Sequence, residues 1–317
     1  MKAHASRSIR IRCFIATLIL LILYFPRIGG ASVIPADIKK VVSFIYLEND
    51  KGEKIANGTG FYVTLKEGDY IFGYLVTAKH VLQDAGNFYS EIFIRQNTLD
   101  GMSEFIPMSL EYNQNVFAHP DPDVDLAAIA FFPKITTYEF KSLPAEDILP
   151  KGPFPKEELA EGDKTFFVGL FTSYIGEKKN YPIIRFGHVS LITDEKIYWH
   201  PKGWKKGRYV DFFLVESMAF GGNSGSPLFV EYEPTRDSQK IVLSSNSRLS
   251  FAGVVVGSFN KTNEVEFVRV GGVPVYSDNV GISAVIPSYK LYELIYSEQL
   301  ENLRKNTVKE LLEKSVK

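Results

Sequence analysis

A chain of 317 residues whose only cysteine is Cys13 can close no intrachain disulfide, and one thiol cannot anchor a structural zinc site. An excess of one charge is also missing: 36 lysines and arginines stand against 37 aspartates and glutamates. The basic residues form no patch interleaved with aromatics, which excludes the electrostatic footprint of a nucleic-acid-binding protein. Beyond Phe25 no apolar run approaches the ~20 residues that cross a bilayer as a helix. No repeat period is evident. What remains is a chain long enough to bury a substantial core by itself, as one domain or two close-packed halves.

The positive charge that is present gathers at the start. Lys2, Arg7, Arg10, Arg12 and Arg27 precede Ser32 with no acid among them, and an apolar run from Cys13 to Phe25 follows the first four. Small residues at Gly29-Gly30-Ala31 complete the pattern of an export signal cleaved after Ala31. The run is short for a membrane span, so a cleaved signal over residues 1–31 is favoured over an uncleaved N-terminal anchor, and the membrane is a partner only in the second case. Without those five of the 36 basic residues, the processed chain carries a net charge of about −6 against its 37 acids. It contains no thiol. The expectation is an exported protein, periplasmic or secreted, held by its core alone.

From Val41 to Ile286 the texture is of short strands with turn punctuation. The runs are Val41–Leu47, Phe61–Leu65, Ile71–Thr77, Ile92–Arg95, Leu126–Phe132, Thr165–Leu170, Ile183–Ile192, Phe212–Val215, Pro227–Tyr232, Ala252–Ser258 and Val280–Ile286. They are rich in Val, Ile, Phe and Tyr and bounded by Gly, Asn, Asp or Pro, which predicts an all-β barrel or sandwich. The stretch 143–163, with Pro144, Pro150, Pro153 and Pro155, reads as a connection between two β halves. From Ser288 onward, Leu291, Leu294, Ile295, Leu300, Leu303, Val308, Leu311 and Leu312 recur at three- to four-residue spacing. This predicts a C-terminal helix capping the second half, with 298–317 as a helical tail. The irregular stripe and mixed charge argue against the alternative of a membrane or oligomer contact.

Three segments carry the chemistry. His80 closes the apolar run Tyr74-Leu75-Val76-Thr77 and is suited to be a base delivered to a cleft from a rigid strand end. Asp125 follows Asp121 and Asp123 and abuts the strand Leu126–Phe132, so it is the acid buried enough to orient an imidazole. A calcium loop is excluded, because its sixth and twelfth positions would need Gly and Glu where Leu126 and Phe132 stand. Ser224 lies in Gly221-Gly222-Asn223-Ser224-Gly225-Ser226-Pro227, where glycines permit positive φ and the N–H groups of Gly222 and Ser224 can converge on an oxyanion. A serine hydroxyl is a weak nucleophile until a base reaches it and a third group fixes that base. His119, His188 and His200 lack a paired acid or a second ligand at metal spacing and read as ordinary loop or strand residues, so neither metal nor cofactor is expected. The formal glycosylation sequon at Asn57 is set aside. An α/β-hydrolase elbow is rejected, since Ser226 occupies its last glycine position and the order of residues is His, Asp, Ser.

Gly58-Thr59-Gly60-Phe61, Thr77-Ala78-Lys79-His80-Val81, Asp125-Leu126-Ala127 and Gly222-Asn223-Ser224-Gly225-Ser226-Pro227 together resemble the trypsin-like (chymotrypsin-fold) serine peptidases. They are closest to the disulfide-free bacterial branch of Deg/HtrA-type and glutamyl-endopeptidase-like enzymes, and the likeness covers residues 41–297. The resemblance implies two six-stranded antiparallel β-barrels with a C-terminal helix, the peptidase domain occupying 32–297. It implies a polypeptide substrate cleaved through His80 as general base, Asp125 as its orienting acid and Ser224 as nucleophile. Gly222 and Ser224 would form the oxyanion hole, while Met218, Val256, Gly257 and Ser258 would bind substrate. A non-catalytic homologue that only holds peptide is the alternative. Three departures stand out. Asn223 replaces the aspartate that takes a new N-terminus in zymogen-type members, Ser226 replaces a glycine and narrows the site, and Lys79 replaces a small residue and is expected to face solvent. An acid-free pocket floor at Met218-Ala219-Phe220 and Ser258-Phe259 leans toward small or apolar P1 side chains.

Overall fold

The computed structural model describes residues 34–148, 159–200, 206–232, 248–264 and 275–315. The expected export signal and positions 149–158 of the expected connection lie outside the described residues.

Alternating apolar residues punctuated by turns give ten strands in the first half. They are β1 (Val42–Glu48), β2 (Lys54–Glu67), β3 (Tyr70–Ala78), β4 (Gln83–Asp84), β5 (Asn87–Phe88), β6 (Glu91–Asn97), β7 (Ser103–Ser109), β8 (Val116–Ala118), β9 (Leu126–Ala130) and β10 (Leu143–Pro144). The second half has β11 (Lys164–Gly169), β12 (Ile183–Ile192), β13 (Ile197–Trp199), β14 (Arg208–Val210), β15 (Phe213–Glu216), β16 (Ser226–Tyr232), β17 (Arg248–Glu264) and β18 (Val275–Pro287). Two helices follow, α1 (Ser288–Ile295) and α2 (Glu298–Ser315).

The second half closes as expected: β11-β12-β15-β18-β17-β16 form a six-stranded barrel, sealed where Thr165 on β11 pairs with Val230 on β16. The first half does not. Its strands run in the order β7-β6-β1-β2-β3-β9-β8, with β10 joining β2 in parallel, and β7 and β8 remain edges. Two features keep it open. Strand β8 is only three residues long, and β7 carries Pro107, which has no N–H to offer a further neighbour. The expectation of two closed barrels is therefore corrected to one barrel and one open sheet.

The halves are joined by aromatic packing. The Phe61 ring on β2 lies 5.6 Å from that of Phe251 on β17, which lies 6.1 Å from Phe229, itself stacked on Phe166 at 5.3 Å. Burying such rings contributes about 1.5–3 kcal/mol each, so the cleft rests on a stiff seam.

The expected C-terminal helix is two helices. Residues Tyr296 and Ser297 break it, and Glu301 N–H then donates to the Ser297 carbonyl to restart the winding. The cap is also broader than expected, since α1 packs on β9 of the first sheet as well as on β17 and β18. Arg304 on α2 is buried and reaches Glu67 Oε2 (2.7 Å), the Tyr74 hydroxyl (3.2 Å) and the Ile295 carbonyl (2.9 Å). The helical pair thus straps both halves together.

Candidate active site

Strand pairing brings His80 and Asp125 together. β3 and β9 are antiparallel, and their last pair is Ala78 with Leu126, so the residues just beyond it emerge side by side at one sheet end. There Lys79 N–H donates to the Asp125 carbonyl (3.1 Å), and a 3-10 turn over Lys79–Leu82 swings the imidazole toward the carboxylate. Asp125 holds His80 at two points: Oδ1 accepts the His80 backbone N–H at 2.9 Å, and Oδ2 lies 2.6 Å from Nδ1. The carboxylate is 2% exposed and the ring 27%. Burial pulls the imidazole pKa down, but the charge and hydrogen bond of Asp125 outweigh it and lift it above its ordinary 6.5. With Nδ1 donating to the carboxylate, Nε2 is the basic nitrogen of the neutral ring.

The Ser224 segment is two consecutive turns. Asn223 N–H donates to Phe220 O (3.0 Å) and Ser226 N–H to Asn223 O (3.0 Å). Gly222 and Gly225 fill the third positions of these turns at φ +95° and +89°, a conformation that requires glycine. Asn223 is the hinge between them: its Oδ1 accepts Phe220 N–H and its Nδ2 donates to Leu170 O, both at 2.7 Å. Among the described residues, the N–H groups of Gly222 and Ser224 donate to no protein carbonyl.

This turn is fastened to the base-bearing strands through residues that sequence reasoning gave no role. Thr59 N–H donates to Ser224 O (2.9 Å), and Thr59 Oγ1 donates to Gly222 O (2.8 Å) while accepting Leu170 N–H (2.9 Å). Thr77 Oγ1 donates to Thr59 O (2.7 Å). The signal was available in the Gly58-Thr59-Gly60 triplet, whose flanking glycines leave no room for a side chain: a Cβ on Gly58 would lie 2.6 Å from Val81.

The Ser224 hydroxyl donates to Val256 O at 3.2 Å, a long bond for a hydroxyl. That carbonyl is free because β17 bulges at Val256, between the pairs Val255–Val285 and Gly257–Ala284. The β16 ladder ends at Ser226 opposite Val255, so Val256, Gly257 and Ser258 present the edge that β16 leaves. The Trp199 ring lies behind Gly257, 2.8 Å from where a Cβ would stand. Met218 is exposed, and its carbonyl accepts Arg185 Nε at 2.6 Å.

Three expectations are corrected here. Lys79 does not face solvent; it is buried, and its Nζ donates to the carbonyls of Pro122 (2.9 Å) and Val124 (3.0 Å). Ser226 does not narrow the site, since its Oγ points at Gly169, 2.0 Å from where a Cβ would stand there. His119 is not without an acid: Nδ1 accepts Asp121 N–H (3.0 Å), and Nε2 lies 3.3 Å from Glu293 on α1. Burial nevertheless drives the His119 pKa below the usual histidine range. Beside the His80 ring opens a cavity of about 1220 Å³ bounded by Phe88, Tyr112, His119 and Arg208.

Residues 58–233 match the family described as the trypsin-like peptidase domain. No curated protein matches the chain. Among solved structures, one described as the atomic-resolution structure of HBP is similar at 12% identity and a TM-score of 0.43, over 84% of this chain and 94% of that chain.

Proposed function

The chain belongs to the trypsin-like peptidase domain family, and from that premise we propose that it is an exported serine endopeptidase acting through His80, Asp125 and Ser224. The observation that carries this reading is the two-point hold of Asp125 on His80, at 2.6 and 2.9 Å, at the strand end to which the Ser224 turn is tied. Asp125 fixes the tautomer. Nε2 then takes the Ser224 proton as the hydroxyl rotates from Val256 O and attacks the scissile carbonyl. The Gly222 and Ser224 N–H groups receive the oxyanion; each such donor is worth on the order of 10²–10³ in rate. The protonated imidazole gives its proton to the leaving amine, and water hydrolyses the acyl-enzyme by the same relay.

The substrate adds as a strand to Val256, Gly257 and Ser258. Its P1 side chain meets Met218, Ala219 and Phe220. The Arg185 guanidinium over the Phe220 ring, 4.7 Å from its centroid, favours apolar P1 groups over lysine or arginine.

One observation favours a second reading, a silent homologue that holds peptide without cutting. The Ser224 hydroxyl is bonded to Val256 O rather than to His80. A fluorophosphonate probe separates the two. The peptidase reading expects labelling of the wild type that vanishes in Ser224→Ala, and the silent reading expects no labelling of a folded wild type.

A further inference from the structure

The loop that carries the orienting acid is held by an uncommon device. Within it, Asp123 N–H donates to Asp121 Oδ1 (2.9 Å) and Val124 N–H to Asp121 O (3.1 Å), which turns the Pro122 and Val124 carbonyls outward from the loop. The Lys79 ammonium bridges those two carbonyls at 2.9 and 3.0 Å. A second cation from the other half completes the hold: Arg208 on β14 donates to Pro122 O (2.5 Å) and pairs with Asp123 at 3.3 Å. Lys79 is 7% exposed, so its ammonium has traded water for these carbonyls and for the field of the acids around it.

We propose that Lys79 is a positioning residue, its ammonium bridge to the Pro122 and Val124 carbonyls holding the Asp121–Asp125 loop in register with His80. The inference rests on the peptidase reading for its catalytic consequence only.

Two physical effects follow from the placement. The Val124 carbonyl immediately precedes Asp125, so a donor fixed on it limits how far the carboxylate can drift from the imidazole. A misplacement of an ångström at a reacting constellation can cost about 10²-fold in rate. A carboxylate that drifts from the ring also withdraws the charge and hydrogen bond that raise the His80 pKa. The charged groups facing the Lys79 ammonium are Asp125, Asp121, Asp123 and Arg208. Across the adjoining cavity stand Asp84, Lys206 and His119, and behind His119 are Glu293 and Lys290. Burial and Arg208 act to lower the Lys79 pKa while the three aspartates raise it, with a net lowering.

The test uses two neutral variants of the whole chain, Lys79→Met and Lys79→Gln, with the His80 imidazole titrated by NMR alongside a pH profile of peptide cleavage. Both variants remove the charge alike and only Gln keeps a donor for the two carbonyls, so the His80 pKa of Lys79→Met is expected to lie below that of Lys79→Gln as the carboxylate drifts from the ring. The acid limb of kcat/KM should differ between the two variants in the same direction. Loss of the donor in Lys79→Met should lower kcat about tenfold or more while KM stays within about twofold. The same His80 titration in both folded variants overturns the proposal, as does a Lys79→Met kcat equal to that of the wild type. Unfolding of both variants also overturns it, since Lys79 is then a stability residue. The NMR titration reads the coupling without activity. A wild type that neither cleaves nor labels, while its variants show the displaced titration, counts against the peptidase reading and not against the role of Lys79.

Discussion

Replacing Thr59 by valine keeps the shape of the side chain and removes one oxygen, and that oxygen serves two backbone groups. Thr59 is fully buried; its Oγ1 donates to Gly222 O at 2.8 Å and accepts Leu170 N–H at 2.9 Å. In Thr59→Val, both groups lose their partner where water has little access. Each buried group left unmade costs about 1–3 kcal/mol, so the variant should lose about 2–6 kcal/mol of stability. Thr77→Val is the control: its hydroxyl makes one bond, to Thr59 O at 2.7 Å, and the same arithmetic gives about 1–3 kcal/mol. Urea unfolding of the three proteins measures both numbers, with a midpoint drop of about 1 M expected for Thr59→Val. The functional consequence is separable. Gly222 contributes one of the two free N–H groups, and releasing its carbonyl lets that peptide unit swing, so kcat should fall about 10–100-fold at temperatures where the variant is folded. A midpoint within about 0.2 M of wild type, or a Thr77→Val loss equal to that of Thr59→Val, would refute the claim that Thr59 is the fastening between the halves at this site.

Other substitutions test other links. Gly225→Ala places a Cβ 2.0 Å from the Thr59 carbonyl at φ +89°, so probe labelling at Ser224 should be lost, and labelling at wild-type rate would count against the turn geometry. Arg304→Met strips the Tyr74 hydroxyl and the Ile295 carbonyl of a donor and should cost about 2–4 kcal/mol, read as a lower Tm and earlier proteolysis within 298–315. Cleavage by the wild type should fall as pH drops through a value above 6.5, because His80 must be neutral and Asp125 raises its pKa. The linked stability runs the opposite way with pH: the His80–Asp125 pair stabilises fully below pH 6.5, and this contribution is lost as pH rises through the higher folded value. Asp125→Asn removes the raising influence and leaves burial, so the imidazole should titrate below 6.5, with kcat lower by about 10⁴.

The parts of this molecule legible in the sequence are those set by short-range pattern. His80 and Asp125 were identifiable because each ends or begins an apolar run, and antiparallel pairing of those two runs brings their ends together, as the Ala78–Leu126 register does. The serine turn was legible through its glycines, since two positive-φ positions three residues apart need them. Closure of the first half was not. It depends on whether β7 and β8 meet, a long-range question that strand texture does not answer, and the three residues of β8 were too few to register as a strand at all. The helix break was recoverable, for Ser297 followed by Glu298 is an N-terminal signal lying inside the apolar stripe.

Lys79 shows why the remaining errors have one origin. A lysine beside a strand end reads as a surface residue, because nothing local to it compensates a buried ammonium. Its compensation comes from carbonyls of Pro122 and Val124, more than forty positions away, exposed only because Asp121 folds that loop back on itself. Arg304 repeats the logic at larger separation: a cation in the expected helical tail is buried against Glu67 and Tyr74. His119 repeats it with Glu293. In each case the partner lies on an element distant in sequence, and for Lys79 and Arg304 burial of the charge is tolerable only because that partner arrives. Polar residues that break the local rule are thus the ones that tie separate elements together, and Lys79 does so on the loop that carries Asp125. The strands supply the frame of the candidate site, and both Asp125 carboxylate oxygens lie at hydrogen-bonding distance from His80.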